Sequence, residues 1–194
     1  MSYNFEEITT QVKKKVSEKR FIHTLGVSYT AAALAMCYGA DMEDARAAGL
    51  LHDYAKAFSD EKLLEKCIKH HLPVSSSEKK SPYLLHGKVA AYYAQKKFGI
   101  KNQQVLDAIT YHTTGREDMS LLEKIIFVAD FIEPNRKPLK NLPVIRKAAF
   151  ENIDQSVYMI LSDTLSYLGQ KNDKEIDPVS QSAFCYYDQL VHAK

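Results

Sequence analysis

Along this chain the apolar residues recur every three or four positions and almost nowhere alternate, the period of helices rather than strands. The stretch "FEEITTQVKKKVSEKRFIHTLGVSYTAAALAMCYGA" keeps that period in one helix or two, and Gly39 suits the left-handed residue that stops a helix. Asp41 then reads as the N-cap of "MEDARAAGLLHDYAK". Ser59, with Asp60 and Glu61 at the helix end that favours negative charge, opens another helix to about Lys69. Pro73 and "SSSEKKS" read as a polar loop.

Ser81 and Pro82 form a cap and a first-turn proline for "YLLHGKVAAYYAQKKF", which Gly99 closes. "NQQVLDAITYHTT" makes a short helix ending at Gly115. In "SLLEKIIFVADFIEP" Ser120 and Glu123 form a capping box and Pro134 ends the helix. A long amphipathic helix is predicted from roughly Pro143 to Leu168, and Asp177 with Pro178 opens a last one. The expected fold is an all-α, single-domain helical bundle spanning 1–194. Its chemistry should lie in a core of about 18–136, with C-terminal helices at about 143–194 packed on it.

Composition changes this picture little. A chain of 194 residues suits one core of ordinary size, and 26% charged with 45% hydrophobic residues is the balance of a soluble globular protein. A net charge of +2 argues against a nucleic-acid surface. "MSYNFEEITTQ" has no basic region leading into an apolar block, and "TAAALAMCYGA" is about half a membrane span, so the expectation is a cytoplasmic protein with no membrane partner. Cys37, Cys67 and Cys185 are odd in number and form no C-x-x-C pair; they read as reduced, mostly packing residues.

Polar residues inside apolar helical faces change it more. His23 stands between "FI" and "TLGV", His52 and Asp53 follow "LL", His86 follows "LL", His112 follows "ITY", and Asp130 follows "IIFVA". Taken singly, each has an ordinary reading as a hydrogen-bonded core histidine or a helix-end aspartate. Burying an unpartnered carboxylate costs several kcal/mol, and six such positions ask for one explanation. A divalent transition metal supplies it, because imidazole and carboxylate ligands suit iron, manganese, cobalt or zinc, while the lack of thiolates argues against a structural zinc. Neighbours on a helix diverge by about 100°, but if the helix ends or loosens at His52, both His52 and Asp53 can face one ion. No glycine-rich phosphate loop of either common type is present.

In this order, His23, the His52–Asp53 doublet and Asp130 resemble the H…HD…D signature of the HD-domain phosphohydrolases. The wording "RFIHTLGV", "GLLHDYAK", "LLHGKVAA", "ITYHTTG" and "LEKIIFVADFIEPNR" is similar to one branch, the bacterial symmetrical bis(5′-nucleosyl)-tetraphosphatases, which split diadenosine tetraphosphate into two ADP. The resemblance runs from about Arg20 to Arg136 and weakly into the last helices. It is least distinctive around "NDKEIDP", residues 172–178.

The resemblance implies that His23, His52, Asp53 and Asp130 hold a metal, most often iron with manganese or cobalt as alternatives. One ion is favoured, with room for a second at His86 and His112. It implies catalytic roles for Asp53, Lys56, His86 and His112, and contacts to substrate from Lys56, His86, His112, Thr113, Gly115 and Arg136. Arg20 shares a helical face with His23 and could reach the same phosphates. The metal would ready a water to attack phosphorus while Lys56 and the forked guanidinium of Arg136 offset phosphate charge.

The expected partners are nucleotides, with ADP or GDP as product or ligand, and a homodimer is allowed. Two alternatives stay open: hydrolysis of another nucleotide such as a guanosine alarmone or a deoxynucleotide triphosphate, and a non-catalytic sensor of ADP or GDP. Asp107 and Glu133 are candidates for orienting ligand histidines. Tyr92, Tyr93, Tyr186 and Tyr187 read as packing residues, and His70, His71 and His192 fall outside the site.

Overall fold

The computed structural model describes residues 3–170 and 176–193; residues 171–175, which carry most of "NDKEIDP", lie outside the described residues. The described elements are helical, with no strand among them: α1 (Phe5–Lys15), α2 (Glu18–Tyr38), α3 (Met42–Leu51), α4 (Asp60–Lys69), α5 (Ser76–Lys80), a 3₁₀ turn (Pro82–Leu85), α6 (His86–Phe98), α7 (Gln103–Tyr111), α8 (Leu121–Ile132), α9 (Leu142–Glu151), α10 (Ile153–Gly169) and α11 (Pro178–His192). The expected caps sit where the chain turns. Side chains of Asp41, Ser59 and Asp177 accept from backbone N–H groups of the first turns of α3, α4 and α11. Ser120 and Glu123 complete a reciprocal capping box on α8. Gly39 and Gly99 close α2 and α6 with φ of 74° and 68°, where a side chain would be strained.

Three stretches depart from the sequence expectation. "SSSEKKS" is not a loop: Ser75 and Glu78 form a capping box that starts α5, and Glu78 is buried on Lys88. The turn Pro82–Leu85 is 3₁₀ and Ser81 makes no side-chain cap, so α6 begins at His86. The long C-terminal helix breaks at Asn152, which leaves helical geometry at φ −152° and ψ 102° and caps α10 by accepting from Gln155 N–H. Of the cysteines, only Cys67 is buried; Cys37 and Cys185 are exposed rather than packing residues.

α2 has the length and apolar composition to cross a bilayer, yet here it is the central core helix. It buries Val27, Ala31, Leu34 and Ala35 on one face, and packs along α3 and α8. The approach to α3 is close: a Cβ on Gly49 would lie 2.7 Å from the Ser28 Cα, so only glycine lets the two backbones meet there. Leu34 and Leu51 are fully buried, each contributing about 1.5–3 kcal/mol. α7 fills the space between α6 and α8, and α10 joins α8 to α9 and α11. This packing points the ends of α3, α6, α7 and α8 at one flank of α2.

Candidate active site

α3 ends at Leu51, and His52 is its cap residue, after which the chain turns through Lys56. The break lets the two halves of the doublet converge: His52 Nε2 lies 3.3 Å from Asp53 Oδ2. Around Asp53 the structure gathers His23, His52, His86, His112 and Asp130, the six polar residues set into apolar faces. Asp53 stands at the centre. Its Oδ2 faces His52, His23 Nε2 at 3.9 Å and Arg20 Nη1 at 2.7 Å, while its Oδ1 faces His86 Nε2 at 3.2 Å and His112 Nε2 at 3.7 Å. Asp130 Oδ1 lies 3.0 Å from His23 Nε2 and 4.0 Å from His52 Nε2.

The orientation of each ring follows from its other nitrogen. His52 Nδ1–H donates to the Gly49 carbonyl at 2.7 Å, His86 Nδ1–H to Tyr83 at 2.6 Å, and His112 Nδ1–H to Ile109 at 2.7 Å. A carbonyl only accepts, so these three Nδ1 atoms carry the protons and the three Nε2 lone pairs point inward. His23 Nδ1–H donates instead to Glu133 Oε1 at 3.1 Å. Glu133, 1% exposed, is fixed in turn by Asn135 N–H at 2.7 Å and Asn135 Nδ2–H at 3.1 Å. Arg146 donates to the carbonyls of Ile132 and Glu133, pinning the end of α8. Asp107, the other candidate for this orienting role, instead accepts from Gln103 and faces Arg116.

Inward lone pairs beside two carboxylates make a site that needs positive charge. His23 Nε2 and His52 Nε2 are buried with no hydrogen-bond partner. His86 Nε2 and His112 Nε2 lie 3.0 Å apart although both are acceptors, which is repulsive unless a cation sits between or beside them. Burial alone would lower the pKa of His52, but Asp53, and behind it Asp130, outweigh burial and raise it. Burial also opposes ionisation of Asp53 and Asp130, yet His52, with His112 and His86, holds Asp53 well below the usual range when these rings also carry a proton on Nε2, and His23, His52 and Arg136 do the same for Asp130. His86, with burial the main cause, drops to about 4, so its ring is neutral near pH 7 and suited to ligation rather than to acid catalysis. Ligand atoms of His23, His52 and Asp130 fall within 4.8 Å of one another, as do those of His52, Asp53 and His112. These donors fit a divalent metal, with histidine Nδ1 atoms anchored as metal-binding histidines require.

The remaining expected residues ring this cluster. Lys56 Nζ lies 3.2 Å from His86 Nε2, and burial lowers its pKa. Thr113 Oγ1 lies 3.0 Å from His112 Nε2. Arg136 Nη2 lies 3.7 Å from Asp130 Oδ1, and its Nε is buried without an acceptor. Gly115 reaches the same turn, but its N–H is taken by the Tyr111 carbonyl and its Cα faces Phe127 and Met119. The sequence reading missed Gly26, Asn135 and Arg146, which bear on His23 through Glu133. It also missed a cleft of about 950 Å³ lined by His23, Arg20 and Arg136 of the cluster and by Lys137, Lys140 and Tyr167.

The HD domain model matches residues 20–135. The chain is 39% identical over 188 residues to "Bis(5′-nucleosyl)-tetraphosphatase, symmetrical" of Bacillus subtilis, covering 97% of this chain and 98% of that one. It is 36% identical to the Staphylococcus aureus protein of the same name, again over 97% and 98%. Among solved structures, a Clostridium acetobutylicum protein described as a "predicted HD superfamily hydrolase involved in NAD metabolism" superposes with a TM-score of 0.93 at 38% identity, covering 98% of this chain and all of that one.

Proposed function

This chain belongs to the HD-domain family and, within it, to the symmetrical bis(5′-nucleosyl)-tetraphosphatases, and on that premise we propose that it hydrolyses diadenosine tetraphosphate between its two central phosphates. Water attacks a central phosphorus, the bridging P–O bond breaks, and two molecules of ADP leave. The observation that carries this reading is Asp53, whose two oxygens each face a separate group of imidazole lone pairs. A divalent cation at such a centre neutralises phosphate charge and lowers the pKa of a water toward neutrality.

The chain's own residues do the rest. His23, His52, Asp53 and Asp130 would hold the first ion, and iron would suit their nitrogen and oxygen donors. The sequence favours one ion; the opposed acceptors of His86 and His112 beside Asp53 Oδ1 favour a second cation there. Arg20 holds Asp53 Oδ2 and so fixes which lone pairs remain for ligation. Arg136, with an unused Nε, clamps the phosphates on one flank, and Lys56 with Thr113 holds them on the other. Because His86 is neutral, Lys56 is the better-placed donor for the departing phosphate.

The test is to incubate metal-loaded protein with diadenosine tetraphosphate and resolve the products by anion exchange, with metal analysis of the same sample. ADP as sole product and bound iron support the reading. ATP plus AMP refutes symmetrical cleavage.

A further inference from the structure

We propose that the cleft beyond Arg136 is the subsite for one whole ADP half of the dinucleotide, with Tyr167 stacking on its base and Lys137 and Lys140 taking its phosphates. This rests on the function proposed above, because a bond cleaved at the middle of a symmetrical substrate has a nucleoside diphosphate on each side. The metal ligands themselves leave little room for either: His52, His86, His112 and Asp53 are at most 3% exposed. The cluster opens on the Arg20–Asp130–Arg136 flank, where these side chains are 36%, 21% and 36% exposed, and there the cleft begins.

Its volume, about 950 Å³, lies at the upper end of the roughly 300–1,000 Å³ typical of small-molecule pockets. Five lysines or arginines line it against three carboxylates. Two of those carboxylates are engaged: Glu133 is buried on His23, and Asp163 accepts from Asn141 at 2.7 Å. With Arg20 and Arg136 set against Asp53 and Asp130 in turn, Lys19, Lys137 and Lys140 face Glu18, so the balance is still basic in a protein whose overall charge is only +2. The same walls also carry apolar and aromatic side chains, with Tyr167 55% exposed, Leu139 48% and Ile22 47%. Phosphate-binding cations and an exposed ring lining one cleft are the two kinds of group that an ADP molecule, with its diphosphate and its base, calls for.

The decisive measurement is calorimetric binding of a diadenosine tetraphosphate analogue with a methylene group at the central bridge, compared with inorganic tetraphosphate, which has no base. Tyr167→Ala should weaken the analogue about tenfold, as loss of one base–aromatic stack does, and leave inorganic tetraphosphate unchanged, while Tyr167→Phe binds both like wild type. Lys137→Ala with Lys140→Ala should weaken both ligands. Tyr167→Ala binding the analogue like wild type, or weakening both ligands equally, overturns the subsite. If wild type binds the analogue through Tyr167 but yields no ADP from the natural dinucleotide, the subsite stands and the proposed reaction falls. Wild-type binding with symmetrical cleavage but no Tyr167 effect has the opposite meaning.

Discussion

Gly26→Ala sets two effects of opposite sign against each other. In an exposed helix interior the change stabilises by up to about 1 kcal/mol, because alanine is the better helix former. Here the new methyl points at Glu133 and would overlap its Oε2, with the carboxyl carbon only 3.1 Å away and Asn135 Nδ2 at 3.3 Å. Carbon atoms rest at about 3.5 Å or more, so Cδ must retreat by roughly 0.4 Å and the nearer oxygen by more. That motion pulls Oε2 off the Asn135 N–H and Oε1 off His23 Nδ1. Overpacking costs about 1–3 kcal/mol and a weakened charge-assisted hydrogen bond adds to it, so the steric side wins. We expect a net loss of about 1–2 kcal/mol, which in a chain of this size lowers Tm by about 2–8 °C. Loss of the orienting carboxylate should weaken metal binding about 10–100-fold. The assay is a competitive chelator titration beside thermal unfolding of the metal-free protein, with Gly26→Ala also placed in a Glu133→Ala background. If the effect passes through Glu133, glycine replacement costs no further metal affinity there. A Gly26→Ala protein more stable than wild type that holds its metal equally well would refute the steric conflict with Glu133.

Asp53→Ala should abolish metal retention and hydrolysis while circular dichroism keeps its helical signal; measurable turnover in that variant would remove Asp53 from the centre. Arg136→Ala should reduce kcat/KM about 10–100-fold with metal content unchanged, and wild-type kinetics would exclude Arg136 from the site. Glu123→Gln should cost about 1–3 kcal/mol at pH 7, since the carboxylate accepts from Arg116 at 2.6 and 2.9 Å and from Ser120 N–H at 2.9 Å. Burial pushes Glu123 up, but Arg116 and Ser120 outweigh it and hold its folded pKa below 4.5; the contribution is therefore full above that value and disappears as pH falls through the depressed one. Urea unfolding at several pH values checks this, and a wild-type-to-variant gap constant down to the acid limit contradicts it.

The helical class and the six polar residues of the centre were legible because both are written locally: in the three-to-four spacing, and in hydrophilic side chains set into apolar faces. Caps of one residue type were legible too, as at Asp41 and Ser59. "SSSEKKS" was misread although Ser75 and Glu78 carry the same spacing as Ser120 and Glu123. Without an apolar run behind it the pair looked like loop composition; what makes it a helix is tertiary, the burial of Glu78 on Lys88. The break at Asn152 was hidden because α9 and α10 are both amphipathic, and a period continues through a cap residue when the next helix keeps the same buried side. Gly26 carried no visible signal, since its purpose is the room it leaves for a carboxylate 107 residues away. The cleft joins α2, the chain after α8 and the end of α10, and no window of sequence holds all three.

Where the histidines stand explains how one chain can bury so many imidazoles with their Nε2 atoms aligned. The last four carbonyls of a helix lack intrahelical partners. His52 and His112 occupy the cap positions of α3 and α7, and each sends Nδ1–H back three residues to one of those carbonyls, Gly49 or Ile109. His86, at the end of the 3₁₀ turn, also sends its Nδ1–H back three residues, to Tyr83, although that carbonyl already accepts the His86 backbone N–H. Ending a helix at the histidine thus satisfies a stranded carbonyl and sets the tautomer with the same hydrogen bond. His23 lies inside α2, where the carbonyl three residues back is committed to the helix ladder, so it needs a partner from elsewhere. That difference is why Glu133, and the glycine that makes space for it, exist at His23 alone among the four rings, and why the centre should be most sensitive to distant substitution at that ligand.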